Sequence, residues 1–387
     1  MTKTAREETA MKNNASTAAA KKNNTASSAH VHEPLFHIVK RDTIPIWKSM
    51  LIRVIAVAAA LFICSLLSMI LIKANPIEFL ETLVDATLGS TRRLWKFSKD
   101  AAVLLCIALA ITPAFKMRFW NIGAEGQVLI GALASVACAF YLGNTMSNAA
   151  LLVIMFFAAV LAGAIWGGIP AVFKAKWGTN ETLFTLMMNY AASGIVAYFL
   201  VKWTPSGSSV LGELKTGHLP QIIHPYFLII LAVIVITFLV FIYQNFTKQG
   251  YELSVVGESE NTARYIGINV KKVIIRTMLI SGAICGIAGF LIVAGLDHSI
   301  TETTVGGRGF TAIMVSWLAK FNPLVMILTA AFVTFLDQGA SQISTAFNID
   351  SSFPDMVVGI VLFFIIGCEF FINYKLKFRS MTKKEVK

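Results

Sequence analysis

The stretch GFTAIMVSWLAKFNPLVMILTAAFVTFL, residues 309–336, is apolar almost throughout and is broken once, at KFNP. As a single bent helix it crosses a bilayer once. Split into 309–319 and 322–336 it crosses twice, and everything after it changes sides. Both pieces are short against a hydrocarbon core about 30 Å thick, which takes roughly 20 apolar residues per helix. The distribution of Lys and Arg along the rest of the chain decides between the two readings.

Further apolar runs lie at 51–72, 101–115, 122–142, 149–172, 181–201, 226–243, 273–296 and 356–373, so two passes in 309–336 give ten in all. Of the 387 residues 56% are hydrophobic and only 14% charged, a balance no water-soluble domain shows. The expected fold class is therefore all-α, a polytopic integral membrane protein of about ten transmembrane helices, some discontinuous.

With ten passes, the amino-terminal tail with its eight Lys or Arg through Lys48 and the carboxyl tail with Lys375, Lys377, Arg379, Lys383, Lys384 and Lys387 share the cytoplasmic side. The loops holding Lys116 and Arg118, Lys174 and Lys176, and Lys248, Arg264, Lys271 and Lys272 join them there, while 143–148 and 337–355 lack Lys and Arg and face out. This is the positive-inside pattern, which a single long helix over 309–336 would break. One segment departs from it: residues 73–100 carry Lys73, Arg92, Arg93, Lys96 and Lys99 yet fall outside. Glu78, Glu81, Asp85 and Asp100 balance them, and the spacing of IEFLETLVDATL suggests an interfacial amphipathic helix.

Three regions follow: a disordered cytoplasmic tail over 1–48, a transmembrane domain over 49–374, and a basic cytoplasmic tail over 375–387. The first is rich in Ala, Asn, Thr, Ser and Lys and lacks a secretory signal's early apolar core, so an uncleaved tail is expected. His30, His32 and His37 near its end read as a chance cluster rather than a metal site. Cys64, Cys106, Cys138, Cys285 and Cys368 all lie in apolar runs without a CxxC pair, as core residues do. The formal charge of +12 resides mostly in the tails and inner loops and suits anionic inner-leaflet lipid; nothing in it supports nucleic-acid binding.

Between the passes the longest inner loop is 244–272. Its helix-compatible core Ser259–Ile266, capped by Ser259 or Asn261 and bounded by Gly257 and Gly267, reads either as a solvated connector or as a short surface helix that docks into a partner. Polar groups inside the runs are the other candidates. Glu125 and Gln127, in NIGAEGQVLIGA with Asn121 as a helix cap, serve either capping and packing or a transport path, because a carboxylate in a span costs about 2.5–3.5 kcal/mol on insertion scales. Asn180 reads as a cap and Asn189 as a deeper hydrogen-bonding group. SGAICGIAG, 281–289, offers a small-residue stripe for close helix packing.

Taken together, NIGAEGQVLIGA, GTNETLFTLMMNY, GESENTARYIGINVKKV and GGRGFTAIMVSWLAKFNP resemble the membrane permeases of bacterial ABC importers for ribose, galactose, branched-chain amino acids and nucleosides, most closely the nucleoside type, over about residues 100–370. The resemblance implies a coupling helix at Glu258, Asn261, Thr262, Ala263, Arg264, Tyr265 and Gly267. The family pattern EAAxxxG is kept here only at Ala263 and Gly267. It also implies a second permease subunit, a cytoplasmic ATP-binding subunit carrying ATP and Mg, an extracytoplasmic solute-binding lipoprotein, and the cell membrane as location. Asn121, Glu125, Gln127, Asn189, Phe310, Thr311 and Trp317 are the candidate lining of the solute path, since aromatic faces stack on a planar base and hydroxyls give directional hydrogen bonds.

No GxxxxGK[ST] occurs, so no nucleotide cofactor is expected on this chain; no HExxH or GxSxG supports an enzyme, and no catalytic residue or metal set is expected. A secondary transporter driven by an ion gradient is the rival, but it needs paired buried acids, and only Glu125 stands clearly inside a run.

Overall fold

The computed structural model describes residues 36–40, 45–72, 75–204, 210–350 and 352–378. Within them the chain forms β1 (Phe36–Lys40), α1 (Ile46–Ile72), α2 (Pro76–Leu88), α3 (Thr91–Lys116), α4 (Ala124–Leu142), α5 (Asn148–Trp177), α6 (Glu181–Trp203), α7 (Phe227–Phe246), α8 (Lys248–Glu258), α9 (Glu260–Tyr265), α10 (Val270–Ile292), α11 (Arg308–Leu318), α12 (Pro323–Ala346), α13 (Phe353–Asn373) and β2 (Tyr374–Phe378). Among the described residues nine helices are long and apolar enough to cross a membrane; α11 is the apolar helix that is not.

In the larger unit, residues 57–366, α10 is the central post. Lipid tails give apolar helices no reason to associate, so contact depends on close backbone approach. The stripe read from SGAICGIAG supplies it: a methyl built on Gly282 would sit 2.2 Å from the Gly163 carbonyl oxygen of α5, and one on Gly286 2.1 Å from that of Ala159. Ile107, Leu109, Leu151, Met155 and Ile292 are fully buried around this contact. Beyond Ile292 the helix widens into a looser turn, Val293–Asp297.

α11 and α12 form an antiparallel pair. Ser316 and Met326 both meet Thr112 of α3, and Arg308 and Gln338 both meet Asp100, twelve residues earlier on α3. The reversal between them is tight, with Lys320 and Phe321 at φ of 51° and 60°. Residues 309–336 are thus two antiparallel segments and not one bent helix.

Two expected boundaries need correction. The segment read as 322–336 is the 24-residue helix Pro323–Ala346, so Asp337 and Gln338 lie inside α12 and do not start an outer loop. Hydropathy ends at Asp337, but helical spacing continues: Leu336, Ala340 and Ile343 are buried on one face while Asp337, Gln338, Ser341, Gln342 and Thr345 line a cleft on the other. Likewise α3 begins at Thr91, capped by Ser90, rather than at 101. The amphipathic helix expected within 73–100 is the shorter α2, capped by Asn75, which buries Phe79, Leu83 and Thr87 and packs Leu83 on Gly339 of α12.

The smaller unit joins the first and last parts of the chain, residues 1–56 and 367–387. β1 and β2 pair antiparallel, from Phe36↔Phe378 to Lys40↔Tyr374, and Arg53 of α1 bonds Glu369 of α13 at 2.5 Å. Residues 36–40, expected to lie in a disordered tail, and 375–378 of the other tail are therefore strands. YKLKF has the period-two alternation of a strand and FHIVK carries β-branched Ile38 and Val39, signals that their short length and basic surroundings concealed. His30, His32, Lys73, Arg379, Lys383, Lys384 and Lys387 lie outside the described residues.

Candidate functional site

Between α3 and α4 the chain leaves helical conformation from Met117 to Gly123. Arg118 and Trp120 in its first half are exposed, whereas its second half, Asn121–Gly123, is enclosed by other helices. Asn121 Nδ2 donates to Ser281 Oγ at 3.3 Å, and Ser281 stands eleven residues into α10, about 17 Å along its axis at 1.5 Å per residue. Away from water, every backbone polar group there needs a partner in the protein.

Two helices supply the partners. Asn189 of α6 donates from Nδ2 to the Ile122 carbonyl at 2.9 Å, and its Oδ1 accepts from Gly126 N–H at 2.9 Å, capping α4 from another helix. Thr185, one turn earlier, accepts from Ile122 N–H at 3.2 Å. Asn121 Oδ1 accepts from Gly123 N–H at 3.0 Å and from Gln127 Nε2 at 3.1 Å. Asn121, Gln127 and Asn189 are all buried, so they hold the break in the helix closed and present no polar atom to an open passage.

Glu125 joins this break to a second one. In the first turn of α4, its Oε1 accepts from Gly307 N–H at 2.8 Å and its Oε2 from Gly309 N–H at 2.7 Å. One carboxylate thus serves the amino-terminal ends of both α4 and α11, where backbone amides point outward and negative charge is favoured. Gly309 is required by contact, since a methyl on it would lie 2.6 Å from Glu125 N. Arg308, between the two glycines, reaches Asp100 at 3.5 Å. Thr311 donates from Oγ1 to the Gly307 carbonyl at 3.4 Å.

Phe310 and Trp317 lie elsewhere on α11. With Met314 they form an exposed stripe at helical spacing, and Trp120 stands beside it, its ring centroid 5.4 Å from that of Trp317. The seven residues read from the sequence therefore divide: Asn121, Gln127 and Asn189 hold the start of α4, Thr311 bonds within the start of α11, Glu125 alone bonds across to α11, and Phe310 and Trp317 face outward.

At the carboxyl-terminal end of α3, where the break begins, lies the surface segment. Thr247 caps α8 by accepting from Gly250 N–H at 3.0 Å, and Glu252 of α8 pairs with Arg276 of α10 at 3.0 Å. A methyl on Gly257 would sit 2.1 Å from the Lys116 carbonyl oxygen, so α8 rests on the end of α3. Ser259 then caps α9 by accepting from Thr262 N–H at 3.3 Å. Ala263 is fully buried, whereas Glu258, Asn261, Thr262, Arg264 and Gly267 are exposed and Tyr265 is 92% exposed. Gly267 closes the helix at φ 84°, a conformation that disfavours any residue with a Cβ. An 11-residue helix and a 6-residue one, anchored to α3 and α10, thus hold two exposed rings, Tyr251 and Tyr265.

Sequence reasoning missed Thr185 and Ser281 as partners of the break, since hydroxyls in apolar runs carry no pattern of their own. It noted Arg92, Arg93, Lys96 and Lys99 only as an exception to a charge rule. Among the described residues no group of three or more His, Cys, Asp or Glu is gathered as a metal ion would need.

Comparison with known proteins adds the relationships. Residues 95–366 match the family described as the permease component of the branched-chain amino acid transport system. A glucose ABC transporter permease of Haloferax volcanii is 28% identical over 87% of this chain and 92% of its own length. A guanosine ABC transporter permease of Bacillus subtilis is 31% identical over 66% of this chain and 76% of its own. A nucleoside ABC transporter permease of Lactococcus lactis is 25% identical over 79% and 87%.

Proposed function

Since this chain belongs to the family of branched-chain amino acid transport permease components, and is thus a multi-pass ABC transporter permease subunit, we propose that it passes nucleosides into the cell by alternating access, driven by ATP hydrolysis on a partner subunit. The observation that carries the reading is the α8–α9 segment. Its outer face is exposed around Tyr265 while its inner face is locked to α3 and α10 through Gly257 and the Glu252–Arg276 pair. A groove of an ATPase subunit that grips α9 moves those two helices with it. α3 touches the α11–α12 pair through Thr112 and Asp100, so the displacement reaches the intramembrane break.

The break is the moving part of the route. Phe310, Met314 and Trp317 face a second permease subunit across the path, and their rings offer a planar base a stacking surface. A solute-binding lipoprotein delivers cargo at the end of α3 far from α9. Sugars are the second reading, favoured by the glucose permease relative that matches the larger share of this chain.

The test is uptake into proteoliposomes holding this chain with its partner subunits. Guanosine and uridine uptake is expected to require ATP inside and the binding lipoprotein outside, and to survive an ionophore. Concentration of nucleoside by this chain alone, or its collapse with the ion gradient, overturns the reading in favour of a secondary transporter.

A further inference from the structure

At the end of the bundle away from α9, a cleft of about 870 Å³ opens between the start of α3, the turn at His224–Tyr226, the start of α11 and the far half of α12. Five basic residues line it, Arg92, Arg93, Lys96, Lys99 and Arg308, against two acids, Asp100 and Asp337.

Much of the local balancing is already committed elsewhere. Asp100 takes Gln338 Nε2 at 2.7 Å and Arg308 at 3.5 Å, with Lys99 at 4.0 Å. Arg93 pairs with Asp85, and Lys99 lies 4.9 Å over the Tyr226 ring. Arg92 and Lys96 have no ion-pair or hydrogen-bond partner among the described residues, and both are exposed to the cleft.

Three rules of local electrostatics are broken at this one place. The first turn of α3 holds no acid and two arginines, where the helix dipole favours anions. Arg92 and Lys96 are like charges four residues apart on one helix face, an arrangement that opposes folding. This basic cluster also sits at the bundle end opposite Lys116, Lys174, Lys271 and Lys272, against the positive-inside tendency. A chain that bends several rules at one cleft does so for function more often than by accident.

We propose that this cleft is an oxyanion site. It takes a phosphate or carboxylate group between Arg92 and Lys96 at the start of α3, with the ring and hydroxyl of Tyr226 beside it. A bound oxyanion satisfies the helix dipole, separates the two like charges and gives each a charge-assisted hydrogen bond. The site adjoins the Glu125 clamp through Arg308, which lies between the two glycines that Glu125 accepts from, but phosphate binding is read apart from nucleoside uptake, so the two readings fail separately.

Equilibrium binding tests it on the full-length chain in phosphatidylcholine nanodiscs, with radiolabelled inorganic phosphate as probe and uridine monophosphate and uridine as competitors. Saturable phosphate binding that weakens with added salt, is displaced by uridine monophosphate and is untouched by uridine is the expected result. The R92Q/K96Q variant loses roughly tenfold or more in affinity, and the single K96E variant loses binding while both keep the parent's circular dichroism and thermal midpoint. Nanodiscs containing phosphatidylglycerol separate the sources: lost phosphate binding there assigns the site to lipid headgroups, and retained binding assigns it to a free solute. Absence of saturable binding, equal displacement by uridine, or unchanged affinity in R92Q/K96Q overturns the proposal.

Discussion

Replacing Glu125 by Gln tests the joint between α4 and α11 with little change of shape. The carboxylate accepts from Gly307 N–H and Gly309 N–H at 2.8 and 2.7 Å. Glutamine keeps one acceptor oxygen but turns an NH2 group toward the other amide, so one charge-assisted bond is lost and one buried donor goes unpaired. A hydrogen bond to a charged group contributes about 1.5–3 kcal/mol, and removing a charge from an apolar setting recovers part of that. A net cost of about 2 kcal/mol remains, roughly thirtyfold in the opening equilibrium of the first turn of α11. Hydrogen exchange with mass spectrometry in nanodiscs reads this directly. E125Q is expected to speed exchange of the amides over 307–312 by about that factor while α10 around Ser281 keeps its protection. Glu125→Asp keeps the charge but is one methylene shorter and cannot reach both amides, so it falls between. Unaltered exchange over 307–312, or acceleration spread evenly through the chain, refutes the clamp.

Three other outcomes are expected. Gly267→Val strains a backbone at φ 84° by about 1–2 kcal/mol without any clash, since nothing lies within 4 Å of an added Cβ; uptake falls while partner ATPase activity persists, read by parallel phosphate-release and uptake assays. Gly282→Val drives a side chain into the Gly163 carbonyl at a cost of about 3 kcal/mol or more, seen as a lowered thermal midpoint and poor recovery of folded protein. The His298 imidazolium is disfavoured first by burial and then by His218, whose ring stacks on it at 4.0 Å. Its folded pKa therefore lies below its unfolded value, the unfolded chain binds the extra proton, and stability rises with pH across that interval. The thermal midpoint should hold above the ordinary histidine range, near pH 6.5, and fall as pH drops through the lowered folded value; His298→Gln flattens that dependence.

The sequence disclosed the number and order of apolar helices because a bilayer core demands long uninterrupted runs. It disclosed α9 because Ser259, Ala263 and Gly267 stand where a capped, half-buried surface helix needs them. Boundaries at Thr91 and Ala346 were hidden for one reason: hydropathy measures lipid contact, and both ends leave lipid for a polar cleft while staying helical. The partner of Glu125 was hidden for another. Gly307 and Gly309 contribute only backbone amides, which every residue but proline has, and they lie more than 180 positions away. A charge that seemed costly in isolation was legible; the pair of helix starts that balances it was not.

The ladder that joins Phe36–Lys40 to Tyr374–Phe378 sets a sequence of events. Its two strands leave the ribosome tens of seconds apart at roughly 5–20 residues per second. Until the last helix has been threaded, the first strand must wait unpaired. Closure of the ladder therefore waits on the threading of Phe353–Asn373, and a chain lacking Tyr374–Phe378 leaves Phe36–Lys40 without its β partner.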